Sequence, residues 1–202
     1  MSSKKTVERS NKWLFGTMLG FGIVGLIVSF ILSIDEIQVL KNPHAILSCS
    51  VNAVLNCSTV MQTWQAHAFG FPNMFIGLMA FPVVITTAVV VLCGATLPRL
   101  FWRFAAVGFG LGLIFSYWLF FNSVYVIQVL CPWCLVITFT TTMLFEIIMR
   151  YSLRENIFGL SQKVNSRVQA FLQKDYDKVV VASWIVLLVV LVILKFGSGL
   201  FA

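Results

Sequence analysis

The chain has 202 residues, of which 59% are hydrophobic and only 10% are charged, and its mean hydropathy is +0.95. These values lie outside the range of soluble globular domains and indicate a membrane protein with several spans. The net charge of +7 does not require a nucleic-acid partner, because the basic residues flank apolar segments, as they do in membrane proteins.

Five apolar stretches are long enough for membrane-spanning helices, each of which needs about 20 residues. The first follows a basic head, is too long for the apolar core of a signal peptide and precedes no small-residue cleavage pattern, so we interpret it as a retained span. The sequence therefore predicts an all-α membrane protein, one polytopic domain over residues 1–202. Its spans are expected near residues 13–34, 73–93, 101–123, 130–150 and 178–196.

The distribution of lysine and arginine predicts the orientation of these spans. Most basic residues precede span one or lie in the second and fourth connections: Lys4, Lys5, Arg9, Lys12, Arg99, Arg103, Arg150, Arg154, Lys163, Arg167, Lys174 and Lys178. Only Lys41 and Lys195 lie on the opposite side. By the positive-inside rule, we expect the N-terminus in the cytoplasm of a cell-membrane protein and the loop 35–72 on the extracytoplasmic side.

The fourth connection, residues 151–177, is expected to be cytoplasmic. Residues 156–176 within it place apolar side chains at roughly helical spacing, with basic side chains between them. This pattern favours an interfacial helix that lies on anionic lipid; a solvated linker is the alternative.

Four of the five cysteines fall on the predicted extracytoplasmic side, where disulfides form and persist. Cys49 and Cys57 lie in the long loop, whereas Cys131 and Cys134 form a Cys-Pro-Trp-Cys motif at the start of span four. Because a helix N-terminus stabilises a thiolate, this motif indicates thiol–disulfide exchange. The fifth, Cys93, lies near the end of span two and is expected to be a small buried hydrophobic residue.

Both cysteine pairs also admit non-catalytic explanations. Cys49 and Cys57 could form a structural disulfide that fixes the loop. All four cysteines could bind one zinc ion, although a pair that opens a membrane helix is unlike the compact knuckles of zinc sites. We therefore favour redox chemistry and expect no metal site. Flavin, haem and nucleotide motifs are absent from the sequence, which favours a lipid-soluble quinone as the electron acceptor.

Three motifs, taken in order, resemble the bacterial homologues of vitamin K epoxide reductase. They are Ser48-Cys49 through Asn56-Cys57-Ser58, then Phe71-Pro72-Asn73 with Gly77 four residues later, then Cys131-Pro132-Trp133-Cys134. The resemblance covers nearly the whole chain. It implies a disulfide-generating quinone reductase in which four helices form a bundle around a quinone pocket.

The resemblance also implies a role for each cysteine of the two pairs. Cys49 would be attacked by a thioredoxin-fold (DsbA-like) partner, and Cys57 would pass electrons to Cys131. Cys134, one turn deeper, would face the quinone ring. Many bacterial members carry a fused thioredoxin domain after span five, whereas this chain stops at Ala202, so we expect the partner to act in trans.

Three further residues are implied to bind the quinone, whether menaquinone, ubiquinone or a vitamin K-like compound. Asn73 would hydrogen-bond a quinone carbonyl, although it could instead cap span two, since asparagine is a favoured N-cap residue. Thr63 would place its hydroxyl near a thiolate. Thr138 would lie in the quinone pocket, where the vertebrate enzymes have a tyrosine.

Two other functions stay open at this point. Reduction of vitamin K epoxide would use the same dithiol motif in a similar pocket. A non-catalytic membrane scaffold would use its cysteines for fixed disulfides or for zinc.

Three titratable residues are expected to be structural. Glu146 is expected to form an i,i+4 pair with Arg150 rather than to relay protons. His44 and His67 are expected to be solvated or capping residues of the loops.

Overall fold

The computed structural model describes residues 2–42, 47, 49–50, 52–197 and 199, with the side chains of the first helix described from residue 11. Over these residues the chain is mainly helical and has no β-strand, only an isolated bridge between Leu55 and Leu130. The elements are α1 (Ser2–Lys41), α2 (Cys57–Met61), a 3-10 helix (Trp64–His67), α3 (Met74–Leu92), α4 (Arg99–Phe121), a π-helix (Asn122–Ile127), α5 (Pro132–Arg154), α6 (Gln162–Gln173) and α7 (Tyr176–Phe196).

Five segments are long and apolar enough to cross a membrane, which confirms the predicted all-α membrane fold. They run over Asn11–Lys41, Met74–Leu92, Arg99–Ile127, Pro132–Arg154 and Tyr176–Phe196. The predicted interfacial segment contains α6; its position on a membrane surface stays a prediction.

The largest difference from the predicted spans is at the end of α1. The apolar run stops at residue 34, but the helix continues to Lys41, because the intervening residues include neither glycine nor proline. The helix ends at Lys41, two residues before Pro43. This is expected, because the residue that precedes a proline is disfavoured in the helical conformation. Asp35 and Glu36 were expected in a loop and instead lie in the last turns of this helix.

Four helices form the bundle. α1 packs along both α3 and α5, and α4 packs along α5. A Cβ added at Gly77 would overlap Ser29 Oγ, and one added at Gly25 would overlap the ring of Phe81. Glycine at these two positions therefore allows α1 and α3 to approach closely. Within the described chain, α3 and α4 make at most slight direct contact, so a space is left between them.

An ion network joins α7 to α5 at the end of the bundle that holds the N-terminus of α4. The guanidinium of Arg150, only 5% exposed, lies 2.5 Å from Asp177 and also contacts Asp175. Glu146 lies 3.9 Å from Arg150, which confirms the predicted i,i+4 pair. The pKa of Asp175 is lowered by its hydrogen bond to Arg150 and by Lys178. These contacts fix the start of α7 against the bundle.

The prediction that Cys93 is buried was wrong. α3 ends at Leu92, and the chain turns away through Gly94, whose φ of +95° is readily adopted by glycine. Cys93 therefore lies exposed at the helix terminus.

Candidate active site

Four cysteines lie together at the opposite end of the bundle, which we call the cysteine end. Cys49 and Cys57 form a disulfide with a Cα–Cα distance of 5.7 Å. Cys131 and Cys134 are free thiols, and the sulfur of Cys131 lies 3.3 Å from the sulfur of Cys57. The two pairs are therefore in direct sulfur-to-sulfur contact.

Backbone hydrogen bonds between two loops produce this contact. Leu130 N–H donates to the carbonyl of Val54 at 2.7 Å, and Asn56 N–H donates to the carbonyl of Leu130 at 2.9 Å. Cys57 directly follows Asn56, and Cys131 directly follows Leu130. These two hydrogen bonds therefore bring the sulfurs of Cys57 and Cys131 together.

The start of each adjoining helix is also well defined. Asn56 caps α2 by accepting a hydrogen bond from Thr59 N–H. Cys131 is the N-cap of α5, and its sulfur accepts from Cys134 N–H at 3.3 Å, with Pro132 in the first turn. The N-terminus of α5 thus lies directly at the sulfur of Cys131.

Both sulfurs of the loop pair are buried, although the resemblance implies attack on Cys49 by a partner protein. Cys49 is only 4% exposed, and Cys57 is fully buried. The pair belongs to an apolar cluster with Leu32, Val39 and Leu47, which cover it. Access for a protein partner therefore requires some of this cover to move.

Two carboxylates of α1 lie beside the loop, and neither was expected from the sequence. Asp35 Oδ2 lies 3.8 Å from the sulfur of Cys49. Glu36 is 1% exposed, and its Oε1 lies 2.9 Å from His67 Nε2. His67 is therefore not the solvated or capping residue predicted, because it ties the 3-10 helix to α1. His44 lies outside the described residues.

A cavity of about 550 Å³ lies between α1, α3, α4 and α5 and begins at the cysteine end. Cys131 and Cys134 both line it, and so do Asn73 and Thr138. The cavity continues along α5 as far as Ile148, a distance of roughly 25 Å at the helical rise per residue. Its walls are mainly apolar, as expected of a site for a hydrophobic ligand.

The hydroxyls of Thr138 and Thr63, the two threonines predicted to bind the quinone, each donate to a nearby backbone carbonyl. Thr138 lines the cavity, and its hydroxyl donates to the carbonyl of Cys134 at 3.0 Å. Thr63 is outside the described lining of the cavity, and its hydroxyl donates to the carbonyl of Val60 at 2.7 Å rather than to a sulfur. The structure thus places Thr138, but not Thr63, beside the cavity.

Asn73 occupies the N-cap position of α3 without capping it. Its side chain makes no capping hydrogen bond, so the alternative that it serves as a cap is wrong. Instead, Nδ2 donates to the carbonyl of Gln65 at 2.6 Å, and Oδ1 is buried without a partner. The residue therefore joins the 3-10 helix to the rim of the cavity.

A family model described as the vitamin K epoxide reductase family matches residues 17–149. The chain belongs to this family. The match runs from α1 into α5 and includes both cysteine pairs, so the resemblance found in the motifs is confirmed. No curated protein matches the sequence of this family member. As a vitamin K epoxide reductase family protein with five apolar helices, it is a membrane oxidoreductase.

Proposed function

We propose that this protein is a membrane thiol:quinone oxidoreductase that generates disulfides for extracytoplasmic protein folding. It takes electrons from a thioredoxin-fold protein that acts in trans. The loop pair receives them, and the pair on α5 passes them to a quinone. The observation that carries this proposal is the 3.3 Å contact between Cys57 and Cys131, because exchange requires the sulfurs of the two pairs to meet.

In the first exchange, a partner thiolate attacks the sulfur of Cys49. A bond forms between the two proteins, the Cys49–Cys57 bond breaks, and Cys57 leaves as a thiolate. The second thiol of the partner then closes the partner's own disulfide and releases Cys49. Cys49 leaves as a thiolate that takes up the proton of the partner's second thiol, and Asp35 Oδ2, 3.8 Å away, is placed to accept a hydrogen bond from the resulting Cys49 thiol.

In the second exchange, the Cys57 thiolate attacks Cys131 of an oxidised Cys131–Cys134 pair. Cys134 leaves as a thiolate, and Cys49 then attacks Cys57 to restore the loop disulfide and release Cys131. This sequence ends with a closed loop pair and two free thiols on α5, the arrangement found in the structure.

The cavity residues fit a quinone at the cysteine end. Cys134 lines the cavity, and Asn73 lies at its rim. A bound menaquinone, ubiquinone or vitamin K-like quinone supplies an acceptor for two electrons and two protons. Cys131 and Cys134 close their disulfide as these electrons leave. Apolar walls exclude water and leave room for a hydrophobic tail.

The distribution of charge supports an extracytoplasmic position for the cysteine end. Arg99, Arg103, Arg150 and Arg154 all lie toward the other end of the bundle, which the positive-inside rule assigns to the cytoplasm. Disulfides are also stable on the extracytoplasmic side.

The test is anaerobic reduction of 2-methyl-1,4-naphthoquinone by the purified protein, with a reduced thioredoxin-fold protein as the donor. We expect catalytic turnover that requires all four cysteines. A scaffold would keep the same cysteine state whatever quinone or thiol was supplied, and that result would overturn the proposal. The disulfide between Cys49 and Cys57 already disfavours a four-cysteine zinc site, because joined sulfurs are not thiolate ligands.

A further inference from the structure

Gln65 lies on the 3-10 helix above the cavity and is only 5% exposed. It lines the cavity beside Asn73 and Ala66. Its side-chain amide makes no hydrogen bond within the described part of the chain. Neither polar atom of this amide is fully enclosed, so the amide is available to a ligand in the cavity.

The backbone around Gln65 is held firmly. Asn73 Nδ2 donates to the carbonyl of Gln65, and Asn73 N–H donates to the carbonyl of Ala66 at 2.9 Å. The ring of His67, two residues after Gln65, is bound to buried Glu36. These contacts fix the backbone that carries the amide, so the cost of ordering this segment is met before a ligand binds.

The amide of Asn73 is less available than that of Gln65. One of its donors is already used on the carbonyl of Gln65, and its oxygen is fully enclosed. The polar atoms of the Gln65 side chain are not among the enclosed, unpartnered atoms of the described chain. The Gln65 amide therefore offers a ligand both a donor and an acceptor, whereas the oxygen of Asn73 is enclosed and one of its N–H groups is already bonded.

We propose that the side-chain amide of Gln65 binds the headgroup of the quinone, and that Asn73 is a positioning residue that holds Gln65 in place. The amide N–H would donate to a carbonyl of the oxidised ring, and the amide oxygen would accept from a hydroxyl of the reduced ring. One side chain could therefore bind both redox forms. This inference rests on the proposed function, because it needs a quinone in the cavity.

The test measures equilibrium binding of 2-methyl-1,4-naphthoquinone by quenching of tryptophan fluorescence. Gln65→Met keeps a similar volume but removes the donor and acceptor, and should raise the Kd roughly 3- to 10-fold. Gln62→Met is the matched control, because Gln62 lies in the same loop and outside the described lining of the cavity. Binding of 2-methylnaphthalene, which has the same rings without carbonyls, should be unchanged in Gln65→Met.

The outcomes separate this inference from the proposed function. Wild-type binding in Gln65→Met, or an equal loss for 2-methylnaphthalene, would overturn the role of Gln65 and leave quinone reduction intact. Failure of the unaltered protein to bind the naphthoquinone would overturn both. Thermal unfolding of each variant is measured on the same samples. If Gln65→Met does not fold, Gln65→Asn retains the amide but shortens its reach, and it should also weaken binding of the naphthoquinone alone.

Discussion

The sulfur of Cys131 lies 3.3 Å from the sulfur of Cys57, which is itself joined to Cys49. Cys57 is thus the loop cysteine that is bonded to Cys49 and also contacts Cys131 of the pair on α5. Thiol–disulfide exchange passes through a mixed disulfide, and this contact identifies the pair of sulfurs that would form it.

The first prediction is that this mixed disulfide can be trapped. In Cys49→Ala/Cys134→Ala, only Cys57 and Cys131 remain at the cysteine end, so mild oxidation should join them in most molecules. Mass spectrometry of unreduced peptides measures the product. The control Cys49→Ala/Cys131→Ala leaves Cys57 with Cys134 and should give far less of the corresponding link; equal yields would contradict the proposed route.

The second prediction concerns the role of the loop pair. Cys49→Ser and Cys57→Ser should each abolish turnover with a protein dithiol, while a small membrane-permeant dithiol still supports quinone reduction through Cys131 and Cys134. Initial rates with the two donors measure this difference. Cys93→Ser, exposed at the other end of α3, should leave both rates unchanged. Equal losses with both donors would show that the loop disulfide is structural.

The third prediction distinguishes the two thiols of α5. Cys131→Ser leaves Cys134 lining the cavity without its partner cysteine, and should give a coloured complex, because a thiolate next to a bound naphthoquinone can form a charge-transfer complex. The visible absorbance spectrum measures it. Colour in Cys134→Ser but not in Cys131→Ser would mean that the two roles are exchanged.

The fourth prediction concerns Asn73. Removing its bond to the carbonyl of Gln65 in Asn73→Ala should raise the quinone KM or lower kcat by roughly 2- to 100-fold without unfolding the bundle. If Asn73 acts through Gln65, the double variant with Gln65→Met should lose little more than the larger of the two single losses. Independent, additive losses would instead indicate separate contacts with the quinone. Wild-type kinetics in Asn73→Ser would show that the amide of Asn73 has no role in binding the quinone.

The fifth prediction concerns the ion network at the other end of the bundle. Arg150→Met leaves the largely buried carboxylate of Asp177 without its cation, while half-exposed Asp175 keeps Lys178, and should lower the free energy of unfolding by about 3 kcal/mol. Unfolding in mixed micelles measures it. Lys163→Met, on the exposed part of α6, should have little effect. A small loss in Arg150→Met would mean that α7 is held mainly by apolar contacts.

The sequence predicted the apolar helices well, because long apolar runs are a local pattern; the roles of the cysteines stay predictions. The apolar runs are long, and the Cys131 to Cys134 spacing is a motif in itself. The predicted end of the first span, residue 34, does not coincide with the end of helix α1 for a physical reason. Hydropathy detects where a segment leaves the hydrocarbon, but Glu36 and its neighbours continue the helix beyond that point.

The contacts between distant segments could not be predicted. Gln65 is one polar residue in a loop, and nothing in its local sequence indicates that it is buried over a cavity. The bond between Glu36 and His67 joins residues that are 31 positions apart. Such contacts depend on how the loop folds back over the bundle, which has no periodic signal in the sequence.

The slight contact between α3 and α4 has a consequence for how kinetics should be measured. A ligand that enters between these helices arrives sideways from the lipid and does not cross water. Its effective concentration is then the number of quinone molecules per lipid molecule. We expect the apparent KM, expressed per volume of solution, to rise in proportion when empty lipid is added to proteoliposomes, and to stay constant when expressed as a mole fraction of the bilayer.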